Sequence, residues 1–285
     1  MSDGKVYKQG WSPEDVSWER FDASKAEPWL VDVIKSASLV EYNAPDYVGY
    51  LKRVFHDAGP EMHAILEQWG REETQHGAVL GRWAEMADPS FKLKEAIARF
   101  RRGYKPQHFA AADLASVRGS RRGEMIARCV VESGTSSYYT AIKEATDEPV
   151  LKEIAGRVAA DEFRHYKLFY ETLHAQSELP LPFWKRLKIA MGRINESDDD
   201  EISYAYYVAT VPPDREAFVR YDRAACSKGV FGNTARLYRR RHIQKLTQMV
   251  VKAAGANPQG WLAKLAGTLV WRLIRARAGR VAAAA

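Results

Sequence analysis

Two tetrapeptides of the same form constrain this chain more than anything else in it: Glu73-Thr74-Gln75-His76 and Glu162-Phe163-Arg164-His165. On a helix, a three-residue spacing sets a carboxylate and an imidazole on one face, close enough to hold one metal ion. Each tetrapeptide has a lone glutamate upstream. Glu41 lies 32 residues before Glu73, and Glu132 lies 30 residues before Glu162. Those separations match one long helix plus one short turn. The chain therefore reads as a twofold repeat of a half-site: Glu41 with Glu73 and His76, then Glu132 with Glu162 and His165. Four helices, two giving one Glu each and two giving Glu-x-x-His, satisfy that repeat.

Apolar periodicity fills in the helices around these six residues. A first helix is expected from Glu27 to about His56, stopped by Ala58-Gly59-Pro60, and a second from about Glu61 to Met86, ending before Asp88-Pro89. The stretch Ser90 to Ser120 is a long connection, with a short helix near Lys92 to Arg102 and a loop around Gly103-Tyr104-Lys105-Pro106. A third helix then runs from about Arg121 to Thr146, Asp147-Glu148-Pro149 makes a turn, and a fourth continues to about Gln176. One long crossover between two hairpins is the connectivity of a ferritin-like four-helix bundle, so the expected fold class is all-α. Residues 1–26 form an irregular arm that packs Trp11 and Trp18 on the body, residues 27–178 the bundle, and residues 179–285 an extension of additional C-terminal helices. Those extra helices are expected at Phe183 to Arg193, Asp200 to Ala209, Asp214 to Ala225 and Thr234 to Ala254.

Charge divides along the same boundary. After Asp222 there are 13 Lys and Arg and no Asp or Glu, so the overall formal charge of +7 leaves −6 on the first 222 residues. The last segment, Trp261 to Arg277, is a basic amphipathic helix suited to an acidic partner or an anionic membrane surface. Two isolated cysteines, no secretory start and no long uncharged apolar run give a cytoplasmic reading, peripheral at most to a membrane. The run Arg239-Arg240-Arg241 has no nucleic-acid recognition motif beside it and reads as a basic helix face.

Four carboxylates and two imidazoles in a bundle interior need cations, because an unpaired buried carboxylate must be neutralised or protonated. Two divalent ions make the set formally neutral, and oxygen and imidazole donors without thiolate suit iron, with manganese able to replace one or both. Glu72 and Asp161, each just before a ligand glutamate, are placed to accept the second ring N–H of a ligand histidine across the bundle. Thr135, near Glu132 on the same helix, sets a hydroxyl beside the metals. Tyr50, Met125, Cys129 and Tyr139 are candidates for an apolar substrate channel.

These residues resemble those of the soluble acyl-acyl carrier protein desaturases. The likeness rests on Glu41-x-x-x-Pro45-x-Tyr47, Glu72-Glu73-x-x-His76-Gly77, Glu132-x-x-Thr135 and Ala159-Ala160-Asp161-Glu162-x-Arg164-His165, and spans about Leu30 to Gln176. Thr74-Gln75 stands where that family usually has Asn-Arg. The resemblance implies a di-iron enzyme that uses dioxygen and two electrons, usually from a ferredoxin, to place a double bond in a carrier-bound acyl chain. It implies Glu41, Glu73, His76, Glu132, Glu162 and His165 as iron ligands, Thr135 as an aid to oxygen activation and Arg164 as part of the surrounding shell. The implied partners are acyl carrier protein or another acidic acyl donor, a ferredoxin-type donor and a second copy in a homodimer. Two other readings share the ligand set: a di-iron hydroxylase or oxidase of a membrane-borne lipid or quinone, and a ferritin- or rubrerythrin-like protein handling iron or peroxide.

Overall fold

A computed structural model describes residues 10–104, 116–196 and 200–283 of the 285. Residues 1–9 of the arm and the Lys105-Pro106 half of the expected loop lie outside them. The described residues are helical with no strand.

The long helices follow the apolar periodicity. They are α1 (Pro28–Tyr42), α2 (Ala44–Val54), α3 (Gly59–Ala87), α4 (Leu93–Gly103), α5 (Arg121–Ala145) and α6 (Pro149–Ala175). Helix α1 lies along α3, α5 lies along α6, and α3 touches α6. Local chemistry sets the ends. The Ser120 hydroxyl accepts from Gly123 N at 3.0 Å to start α5. Glu148 accepts from Leu151 N at 2.7 Å to start α6, with Pro149 in the first turn, where a missing N–H costs nothing. The same buried Glu148 carboxylate accepts from Trp83 Nε1 of α3 at 2.6 Å and from Asp22 N of the arm at 3.1 Å. One turn thus ties three parts of the chain together.

The expected helix from Glu27 to His56 is in fact two. It breaks at Asn43 because Pro45, in the first turn of α2, cannot donate back to α1. Glu201 braces the break, accepting from Asn43 Nδ2 at 3.2 Å and from the Tyr47 hydroxyl. Glu41 is thereby left in the last turn of α1.

Two apolar clusters fill the interior, one toward each end. Ile34, Leu80, Trp83, Ile142 and Ile154 belong to the first, and Leu51, Leu66, Trp69, Met125 and Phe169 to the second. Each fully buried side chain of this size contributes about 1.5–3 kcal/mol. Along α3, α5 and α6 the residues between the clusters are Glu73 and His76, Glu132, and Glu162 and His165. The polar layer is sealed between two apolar ones.

Beyond Leu179 come α7 (Phe183–Asn195), α8 (Asp200–Thr210), α9 (Arg223–Leu237), α10 (Arg240–Ala253) and α11 (Trp261–Ala283). Helices α7 and α10 lie on α5, α8 lies on α1, α9 on α8, and α11 along α10. Two expectations are corrected here. Asp214 to Ala225 is not a helix: a single 3-10 turn, Pro213–Arg215, is followed by turns, and α9 begins only at Arg223, capped by Asp222. Thr234 to Ala254 is not continuous either. The chain is extended at Tyr238 and Arg239, where Arg239 N donates to His242 Nδ1 at 3.1 Å and restarts the helix as α10.

Candidate metal centre

The six residues spaced as two half-sites meet in that sealed layer. Their ligand atoms form two overlapping sets, Glu41, Glu73, His76 and Glu162, and Glu73, Glu132, Glu162 and His165, each within 4.8 Å of one another. Glu73 and Glu162 belong to both. Glu41 and His76 are peculiar to one set, and Glu132 and His165 to the other. Each shared glutamate faces the opposite histidine: Glu162 Oε1 is 3.0 Å from His76 Nδ1, and Glu73 Oε1 is 2.9 Å from His165 Nδ1.

A close helix contact makes this meeting possible. A Cβ on Gly77 would stand 2.5 Å from Tyr42 N and 2.8 Å from Ser38 O, so only glycine lets α3 press on the backbone of α1. That approach brings Glu41 to Glu73.

The outer nitrogens of both histidines are held. His76 donates its Nε2 hydrogen to Asp161 Oδ2 at 3.1 Å, and His165 donates its own to Glu72 Oε2 at 2.7 Å. Each histidine is thus oriented by the acid preceding the other half-site's glutamate, which leaves Nδ1 aimed inward. The acids are held in turn. Gln68 Nε2 donates to Glu72 at 2.9 Å, Trp11 Nε1 donates to Asp161 Oδ2 at 2.7 Å, and Arg164 donates to Asp161 Oδ1. The Trp11 ring lies nearly parallel to His76, 6.2 Å away. Thr135 donates to Glu162 Oε2 at 2.5 Å, and the Tyr139 hydroxyl donates to Glu41 Oε1.

The inward atoms fit a cation. His76 Nδ1, His165 Nδ1, Glu73 Oε1, Glu162 Oε1 and both Glu132 oxygens are buried with no hydrogen-bond partner. Orphaned buried polar atoms are costly, and these converge on one space. The protonation pattern agrees. Burial, assisted by the charges of Glu73 and Glu162, pushes the Glu41 and Glu132 carboxyls well above the usual range. Burial also opposes the charge of Glu73, but the neighbouring His165 and His76 imidazoles outweigh it and hold that carboxyl low. Burial opposes protonated imidazole as well, yet Asp161, Glu162 and Glu73 raise His76 well above its ordinary value, while Glu72 and Glu73 raise His165 to about 9. Without metal, the centre keeps its charge in check by holding protons. This buried set of oxygen and imidazole donors can hold a metal ion, which would take the place of those protons.

The four channel candidates fall inside packed core. Tyr50, Met125 and Cys129 are in the second apolar cluster, and Tyr139 is in the first. Tyr139 has a further role as the partner of Glu41, and Tyr50 donates to Glu124 at 2.7 Å. A cavity of about 420 Å³ lies elsewhere, between α5, α6 and α10, lined by Ser136, Thr140, Ala159, Phe163, Lys245 and neighbours. Sequence reasoning missed Trp11 as a partner of Asp161. No local signal marks it, because the indole reaches Asp161 from 150 residues away.

No protein-family model and no curated protein matches this chain.

Proposed function

We propose that this chain is a ferritin-like di-iron oxidoreductase that uses dioxygen to desaturate an acyl chain. The observation that carries the reading is the sharing of Glu73 and Glu162 between two four-ligand sets, an arrangement suited to two adjacent ions. Oxygen and imidazole donors with no thiolate favour iron. When bound, a reduced iron pair supplies electrons and open coordination positions to dioxygen. In the balanced reaction two neighbouring methylenes each lose one hydrogen, a ferredoxin-type donor gives two electrons, two protons enter, and dioxygen leaves as two waters.

The protein's own groups do the rest. Asp161 and Glu72 fix the tautomers of His76 and His165, so both Nδ1 atoms stay available. Thr135 holds a proton at Glu162 Oε2, beside the converging ligand atoms, where a proton is needed as oxygen is reduced. The apolar clusters on either side keep bulk water from the carboxylate and imidazole layer. Arg241 and Lys245 line the cavity and suit an acyl group presented by acyl carrier protein, which is acidic.

The test is iron loading followed by turnover with acyl carrier protein substrates and a ferredoxin reducing system. Wild-type protein binds iron and yields an unsaturated acyl product. Thr135→Val keeps its iron and turns over roughly 10²-fold more slowly. Iron-loaded protein that consumes no dioxygen with any acyl substrate contradicts the substrate assignment, and protein that takes up no iron contradicts the centre itself.

A further inference from the structure

Helix α11 is apolar on two opposite sides, and only one of them is used. At 100° per residue, Ala263, Gly267 and Ile274 lie on one side, and that side packs on α10. A Cβ on Gly267 would stand 3.4 Å from Gln244 Cα, which shows how closely the two helices run. On the other side Leu262, Leu265, Leu269 and Leu273 form a continuous row, exposed at 54%, 46%, 48% and 69%, with Trp261 at its head exposed at 70%. A row of large apolar residues left in water across about 18 Å of helix marks a binding surface.

The charges say what covers it. Arg272 and Arg280 fall within the leucine face, Lys264, Arg275 and Arg277 flank it, and no acidic residue follows Asp222 anywhere in the sequence. Pairing this face with a second copy would set cations against cations with no carboxylate on either side. An acidic protein would answer the cations but not their interleaving with leucines on one face. A surface that is anionic at one depth and apolar just beneath answers both. Long cationic side chains reach up to phosphates while leucines and tryptophan sink below them. No helix among the described residues is long and apolar enough to cross a membrane, so α11 would lie flat.

We propose that the outer face of α11 docks this protein on a bilayer of anionic lipids. The inference is independent of the metal centre, which lies among other helices. The test is sedimentation of the full chain, metal-loaded, with vesicles of phosphatidylcholine alone and of phosphatidylcholine mixed with phosphatidylglycerol. Binding is expected to the mixed vesicles only, weakening as salt is raised. The double variant Leu265→Ser/Leu269→Ser should bind on the order of tenfold or more weakly, and Arg272→Glu/Arg280→Glu should lose the preference for anionic lipid. Unchanged metal content confirms that each variant is folded. Wild-type protein that ignores both kinds of vesicle overturns the proposal. So does a leucine variant that binds as tightly as wild type, a leucine row that proves to hold a dimer in ultracentrifugation, or capture by acyl carrier protein with vesicles left unbound.

Discussion

The interior between α1, α3, α5 and α6 and the helices beyond Leu179 treat charge in opposite ways. In the interior nearly every acid has a partner across the layer. Asp161 accepts from His76, Glu72 accepts from His165, Glu162 accepts from Thr135 and Glu41 accepts from Tyr139. What remains unpaired there is a set of inward atoms converging on one space. In the C-terminal region, cations accumulate after Asp222 without acids, and the apolar surface of α11 faces outward. The first region is closed and its unpaired atoms are local, so a small ion could satisfy them. The second is open, and its apolar row extends over about three turns of α11, the kind of surface the proposed bilayer contact would cover.

Substitutions in the first region separate its shared ligands from its private ones. Glu73→Ala and Glu162→Ala each remove a residue common to both sets and should abolish metal binding, measured as metal per chain. Glu41→Ala and Glu132→Ala each remove a ligand from one set and should leave about one ion. If all four variants behave alike, the division into two overlapping sets is wrong.

The helix contact beneath the centre comes next in size. Gly77→Ala forces a methyl group into the α1 backbone and should destabilise the protein by about 1–3 kcal/mol in denaturant melts. Its metal loss should resemble that of Glu41→Ala, since α1 is the helix displaced. A normal metal content would mean that α1 can retreat without moving Glu41.

Asp161→Asn and Glu72→Gln keep the shape but remove the charge behind each histidine. Each should weaken metal affinity by about tenfold to a hundredfold in chelator competition. Equal effects at the two positions would support the twofold character of the centre. No effect at either would make these acids ordinary helix residues.

The protons held by the metal-free centre give a pH signature. His165 is raised from 6.5 to about 9, so its protonation stabilises the fold fully below pH 6.5, and this contribution is lost as pH rises through 9. The raised carboxyls of Glu41 and Glu132 act in the same direction, since ionising them within the folded protein is unfavourable. The melting temperature of metal-free protein should therefore fall between pH 6.5 and 9, and that of metal-loaded protein should fall less. Parallel curves would show that metal does not replace these protons.

The convergence of the six residues was legible in the sequence because a three-residue spacing on a helix is a local fact, and two copies at matched separations make chance a poor explanation. The acids behind the histidines were legible for the same reason, standing one residue before Glu73 and Glu162. What escaped was set by contacts between distant segments. Trp11 reaches Asp161 from the arm, and Tyr139 bonds Glu41 from another helix. The break at Asn43 was signalled by Pro45, but the apolar periodicity running through it masked the signal. Beyond Asp222, helix limits depended on caps made by Asp222 and His242, which periodicity does not report.

The most direct test of the whole account is iron per chain after anaerobic loading, with an absorption spectrum recorded before and after reduction and again after exposure to air. Close to two irons per chain are expected, with absorption that reductant bleaches and air restores. Protein that binds no iron, with the six residues intact and the fold unchanged, would contradict it.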